Sequence, residues 1–105
     1  MNFLAIEIEI PSIDNVNITE DSLSVDLSDG RTITAPLAWF PRLLNSTQKE
    51  RKNWRLIGNG YGIHWETIDE DISMENLLAG KGSGESQASL NKWLQKRIIH
   101  KNGKY

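Results

Sequence analysis

The stretch from Ser22 to Pro36 constrains the fold more than any other part of the chain. Leu23, Val25 and Leu27 alternate with Ser22, Ser24, Asp26 and Ser28, and Ile33 and Ala35 alternate with Thr32 and Thr34. Period-two alternation of this kind describes two half-buried strands. Asp29-Gly30 between them invites a two-residue turn. That loop would set Leu27 against Thr32 and Asp26 against Ile33, mixing the buried and solvated faces. A three-residue loop, Ser28-Asp29-Gly30, pairs Leu27 with Arg31, Val25 with Ile33 and Leu23 with Ala35. It keeps the apolar face whole and puts Gly30 at the left-handed position of a type I turn plus bulge. An antiparallel hairpin in that register is the firmest expectation.

Other elements follow from the same kind of pattern. Leu4-Ala5-Ile6-Glu7-Ile8-Glu9-Ile10 alternates and predicts an N-terminal strand, which Pro11 ends or confines to an edge. Val16-Asn17-Ile18 is a short further strand. Pro41 predicts a helix start, because proline suits the first turn and pushes Phe40 out of the α region. Leu43 and Leu44 are that helix's expected buried face, and Gln48-Lys49-Glu50-Arg51-Lys52 its solvated part. Trp54-Arg55-Leu56-Ile57 reads as a strand and Gly58-Asn59-Gly60 as a turn, and Tyr61, Ile63 and Trp65 share one face of the next strand. Ser73 is the expected N-cap of a helix over Met74–Ala79, with Gly80 stopping it and Ile72 and Leu77 forming a hydrophobic staple.

These elements give an α+β domain over residues 1–80, a small and mainly antiparallel sheet covered by a helix. Residues 81–86, Lys81-Gly82-Ser83-Gly84-Glu85-Ser86, have the composition of a flexible linker. Residues 87–105 form a tethered, basic C-terminal helix and tail. Leu90, Trp93, Leu94 and Ile98 follow helical spacing there, with Lys92, Lys96, Arg97 and Lys101 around them. At 105 residues the chain has the length of one ordinary domain.

Charge is segmented. The net −2 is made of −6 over residues 1–40, +4 over 41–57, −5 over 58–80 and +5 over 81–105. Folding can bring such blocks together as neighbouring patches that neutralise one another, or leave the last of them as an interaction surface.

The chain has no cysteine and two histidines. That excludes a disulfide scaffold, a thiol nucleophile and Cys-ligated zinc or iron–sulfur sites, and leaves little for a multi-His metal centre. No metal and no cofactor is expected. The N-terminus has no basic region of the kind a signal peptide needs, and no apolar run approaches bilayer length, so the expected location is the cytoplasm. Gly58-Asn59-Gly60-Tyr61-Gly62 precedes a strand rather than a helix, unlike a phosphate-binding loop. His64, Glu66, Asp69, Glu70 and Asp71 form the densest titratable cluster. A structural role is the expectation for it, with a metal or acid/base site as the sharper alternative. Trp39, Trp54 and Trp65 are assigned to the core. Neither histidine has a recognisable nucleophile beside it, so no enzyme activity is expected and no catalytic residue is nominated.

Leu23-Ser24-Val25-Asp26-Leu27-Ser28-Asp29-Gly30-Arg31 resembles the bacterial family catalogued as domain of unknown function 2442. So do Pro36-Leu37-Ala38-Trp39-Phe40-Pro41-Arg42-Leu43, Gly60-Tyr61-Gly62-Ile63-His64-Trp65, and Asp69-Glu70-Asp71-Ile72-Ser73 with Leu77-Leu78-Ala79-Gly80. The motifs run in order over about residues 14–80. The resemblance implies a small α+β domain that stands alone or precedes a helix-turn-helix domain. It also implies a gene often placed beside that of a second small domain, in pairs proposed to be toxin–antitoxin modules. It carries over no catalytic residue. A single C-terminal helix is too little for a helix-turn-helix.

The expected function is a non-enzymatic protein-interaction module, the antitoxin-like partner of a small, basic, toxin-type protein. Leu90, Trp93, Leu94, Arg97 and Ile98 would dock as an apolar stripe. The alternative is a nucleic-acid-associated transcriptional regulator that sets Lys92, Lys96, Arg97, Lys101 and Lys104 on phosphates. Self-association through an exposed edge strand or the last helix is compatible with either.

Overall fold

The hairpin forms as its alternation dictates. The computed structural model describes residues 9–102, with side chains of the last helix as far as Ile98. In it β2 (Ser22–Leu27) and β3 (Thr32–Pro36) pair antiparallel, with Val25 opposite Ile33 and Leu23 opposite Ala35. The Leu27 amide donates to the Arg31 carbonyl at 2.8 Å, which closes the three-residue loop. Gly30 sits at φ +95°, where a side chain would be strained. On the solvated face the same register brings Ser24 Oγ to Thr34 Oγ1 (2.8 Å) and Thr32 Oγ1 to Asp26 Oδ1 (2.8 Å).

The short strand expected at residues 16–18 is longer, because a bulge disguises it. β1 (Ile13–Ile18) pairs with β2, and its register slips by one residue between Ile13 and Asn15. Without the slip, Ile13 and Val16 would point to opposite faces; with it, both are buried. Of the alternating run at residues 4–10, Leu4 to Ile8 lie outside the described residues. Glu9 and Ile10 belong to no strand, and Ile10 packs against the core.

Pro41 opens a helix, but a short one. α1 (Pro41–Leu44) ends after one turn, where the Ser46 hydroxyl donates to the Leu43 carbonyl at 2.6 Å. Thr47 then caps α2 (Gln48–Lys52) in a reciprocal capping box with Glu50. The break corrects the expected burial: Leu43 is fully buried, whereas Leu44 is 43% exposed.

A second sheet follows, built from β4 (Trp54–Ile57), β5 (Gly62–Trp65) and β6 (Glu70–Ser73) in that order, all antiparallel. β6 falls where the sequence showed only part of the titratable cluster, just ahead of the expected N-cap Ser73. Ile72 pairs with Ile63 and is buried, while Asp71 faces out opposite His64. α3 (Met74–Ala79) has Ser73 as its N-cap. It ends with Gly80 in the left-handed region, where the Lys81 amide reaches the Asn76 carbonyl and the Gly80 amide the Leu77 carbonyl. Ile72 and Leu77, on either side of that cap, are both buried.

The α+β class therefore holds, with the strands divided between two three-stranded sheets that share one core. Leu37, Leu43, Ile63, Trp65, Ile68 and Met74 form its centre, and Leu23 and Val25 enter from the first sheet. Trp54 is half-buried against this cluster, but Trp39 is 40% exposed and leaves the expected core set. Among the described residues no helix is long and apolar enough to cross a membrane. Replacing Gly30 by alanine is expected to cost about 1–2 kcal/mol through its backbone conformation. Urea unfolding would show it as a lower midpoint at unchanged slope.

Candidate functional site

The C-terminal helix α4 (Gln87–Asn102) is attached to the domain by charge and aromatic contacts. The attachment starts in the segment expected to be a flexible linker. The Ser83 amide donates to the Trp39 carbonyl at 2.9 Å, and a Cβ at Gly82 would stand 2.8 Å from that same oxygen. Glycine at position 82 serves close backbone approach. Exposed Trp39 is the wall the strap lies on.

Arg42, on α1, fixes the next residues. Its Nε donates to Glu85 Oε1 at 2.9 Å and its Nη2 to Glu85 Oε2 at 2.6 Å, while Nη1 reaches the Ile68 carbonyl at 3.0 Å. This fork-to-fork geometry is the strong form of an arginine–carboxylate pair. Both side chains are largely covered, at 17% and 9% exposure. The Arg42 guanidinium holds the Glu85 carboxyl below its ordinary range. Ser86 then accepts the Ser89 amide at 3.1 Å and starts the helix.

A second pair secures α4 one turn beyond Trp93. Arg97 Nη1 donates to Glu50 Oε2 at 2.9 Å and Nη2 to Glu50 Oε1 at 2.8 Å. The Arg97 guanidinium, with the Thr47 amide, holds Glu50 down to about 2. The Trp93 ring packs partly on the core, with the Arg97 guanidinium carbon 4.5 Å and the Arg42 carbon 5.3 Å from its centroid. Each such cation–π contact contributes about 0.5–1 kcal/mol where partly solvated.

These contacts sort the candidate interaction residues. Trp93 and Arg97 are engaged with the domain, and Leu90 and Leu94 are half-buried. Ile98 is 60% exposed. With Leu94 and Arg97 it lines a groove of about 950 Å³ whose other wall is α2 and the residues around it, including Lys49, Lys52 and Thr67. Lys92 and Lys96 are exposed. They stand two residues from Leu94 and Ile98, about 200° around the helix and away from the groove. The phosphate-binding set is thereby divided, since Arg97 is held by Glu50 on another face. Lys101 lies in α4 with its side chain outside the described residues, as is all of Lys104.

The acidic cluster on the second sheet is a ladder of polar cross-strand contacts. His64 Nδ1 lies 2.5 Å from Asp71 Oδ1, its cross-strand neighbour, and His64 Nε2 lies 3.5 Å from Glu66, which Arg55 also approaches at 3.4 Å. Among the described residues no group of three or more His, Asp or Glu side chains is arranged to hold a metal. Glu70 points the other way. It is half-buried beside Arg42 and Glu85, one oxygen lacks a hydrogen-bond partner, and burial pushes its carboxyl up.

Two small antiparallel sheets on one core, with a C-terminal helix held to α1 and α2 by arginine–glutamate forks, define a compact α+β domain carrying a C-terminal appendage. The chain belongs to the family described as Protein of unknown function (DUF2442), whose model matches residues 13–83. Its fold is similar to a crystal structure of a protein of unknown function from Rhodospirillum rubrum ATCC 11170. Identity is 28% and TM-score 0.61, covering 76% of this chain and 96% of that one. The solution NMR structure of an uncharacterized protein from Chromobacterium violaceum shares the fold, with 21% identity and TM-score 0.59 over 82% of this chain and 75% of that one. No curated protein matches the chain.

Glu50, Arg42 and Glu85 escaped the sequence reading. Thr47-x-x-Glu50 carried a capping-box signal, but Arg42 and Glu85 stand 43 residues apart with nothing local to join them. Two pH effects follow. A depressed Glu50 contributes stability that is present above its ordinary value of 4.5 and is lost as pH falls toward about 2. The indole signal of Trp93 should shift over that window, and Glu50→Gln should give the shifted signal at neutral pH. Glu70 has the opposite sign, because its raised carboxyl opposes folding when ionised. Glu70→Gln should melt higher than the parent at pH 7, and paired melts should converge once pH falls below 4.5.

Proposed function

We propose that the chain is a non-enzymatic protein-interaction module of the cytoplasm, the antitoxin-like partner of a small toxin-type protein. Its binding surface is the groove between α2 and α4. The observation that carries this reading is Ile98, a large aliphatic side chain left 60% exposed at the mouth of a mostly apolar groove, on a helix otherwise fastened down. Single exposed aliphatics are ordinary, but one that continues the half-buried line of Leu90 and Leu94 into an open trough is how a docking helix face is built. The expected stripe of Leu90, Trp93, Leu94, Arg97 and Ile98 is thus divided. Trp93 and Arg97 hold the helix in place, and Leu94 and Ile98 are offered outward.

Nucleic-acid regulation is the second reading, supported by Lys92 and Lys96 on one exposed ridge of α4. Two phosphate contacts would give a salt slope of only about −2 on a log–log plot. Among the described residues β1, β3, β4 and β6 are edge strands, which supports self-association as an accompaniment.

Co-expression with the product of the adjacent gene, followed by size exclusion at micromolar concentration, tests the reading. Co-elution that Ile98→Asp abolishes is the expected result. Failure of the parent chain to co-elute, or co-elution untouched by Ile98→Asp, would overturn it.

A further inference from the structure

We infer that the groove between α2 and α4 takes an acidic segment with apolar anchors, presented by another protein. The inference rests on the protein-binding reading above and names the chemistry of what is bound. The groove has an apolar side, formed by Leu94 and the exposed Ile98 on α4. It has a basic side, formed by Lys49 and Lys52, which are three residues apart on α2 and therefore neighbours on its surface. Both lysines are exposed, and among the described residues neither is within ion-pair distance of a carboxylate.

The acid lining the groove does not offset them. Glu50 is held by both nitrogens of the Arg97 fork, so that pair is neutral and already satisfied. The lining as a whole therefore carries two uncompensated positive charges beside an apolar wall. A basic segment would be repelled by that rim, so a partner of the basic kind expected from the sequence docks here through an acidic stretch of its own. A nucleic acid would find the phosphate-binding charge but would leave Ile98 against a sugar–phosphate backbone, without an apolar side chain to cover it. A segment carrying both carboxylates and aliphatic residues satisfies the two sides at once. The open form of the trough, with a helix on each side, suits an extended or helical stretch.

Charge complementarity of this exposed kind acts mainly on partner choice and on the rate of association, and it is screened by salt. The conversion of Lys49 and Lys52 to glutamate should therefore weaken binding strongly at low salt and weakly at high salt. Ile98→Asp should weaken it at both.

The probe is a synthetic amphipathic peptide with leucines at helical spacing and glutamates at the remaining positions, alongside a copy in which every glutamate is lysine. Both are titrated against the full chain by amide NMR in low-salt buffer. The expected result is that the glutamate peptide binds and moves the signals of Lys49, Lys52, Asn53, Leu94 and Ile98. The lysine copy should leave them unmoved, and Lys49→Glu with Lys52→Glu should lower the glutamate peptide's affinity about tenfold or more. These substitutions are on exposed positions, and an unshifted Trp93 indole signal shows that α4 is still seated. Equal binding of both peptides, signal changes away from the groove, or unchanged affinity in the doubly substituted chain would overturn the inference. So would a chain that dimerises in sedimentation and loses dimerisation with Ile98→Asp, since the groove would then belong to a second copy. A neighbouring gene product that co-elutes equally well with the doubly substituted chain would sink the acidic-segment inference and leave the protein-binding reading standing. Binding of the glutamate peptide at the groove, with no co-elution of that gene product, would do the reverse.

Discussion

Arg42 is the residue on which the arrangement of the C-terminal third depends. It stands on a one-turn helix that exists because Pro41 starts it and Ser46 ends it, and its guanidinium serves three separate segments. It binds the Ile68 carbonyl in the turn between β5 and β6, the Glu85 carboxylate on the strap, and the Trp93 ring on α4. A lysine could reach one of these but not span all three, because only the planar fork offers parallel donors on one edge, a further donor on another and a flat face. Removing one member of so covered a pair leaves the other's charge in place without its partner, so Arg42 and Glu85 are bound to stand or fall together.

The helix gains its position through charge because its apolar stripe is too thin to do so alone. Leu90 and Leu94 are only half-buried, and the ring of Trp93 carries most of the contact with the core. Guanidinium–carboxylate forks at each end of that contact set the helix in one orientation, a specificity that a few aliphatic side chains would not supply. Position and exposure are thus linked. The same Arg97–Glu50 pair that seats the helix also fixes which of its residues remain at the surface.

Legibility in the sequence followed the range over which each element is specified. The β2–β3 hairpin was readable to the residue, because register there is set by alternation and loop length within fifteen positions. β1 was seen only in part, since the bulge at Asp14 breaks the alternation that a strand search relies on. β6 was missed because Glu70 and Asp71 are poor strand formers in isolation; what makes them a strand is pairing of Ile72 with Ile63 and of Asp71 with His64. Leu44 was misplaced because the end of α1 depends on a serine hydroxyl rather than on a proline or glycine. The stripe of α4 was legible as a helix face. Its seat was not, because its partners Arg42 and Glu50 are 43 and 47 residues distant along the chain from Glu85 and Arg97.

The family model ends at residue 83, so α4 lies beyond it, while Arg42 and Glu50 lie inside. Socket and plug are therefore encoded in different parts of the chain. A domain that holds its appendage by two forks and one aromatic ring, rather than by an extended shared core, can exchange that appendage with few changes to itself. Any replacement need only bring an acid to meet Arg42, a base to meet Glu50 and a flat ring at matching separations. The modularity of such a protein is a property of the few contacts that join its pieces.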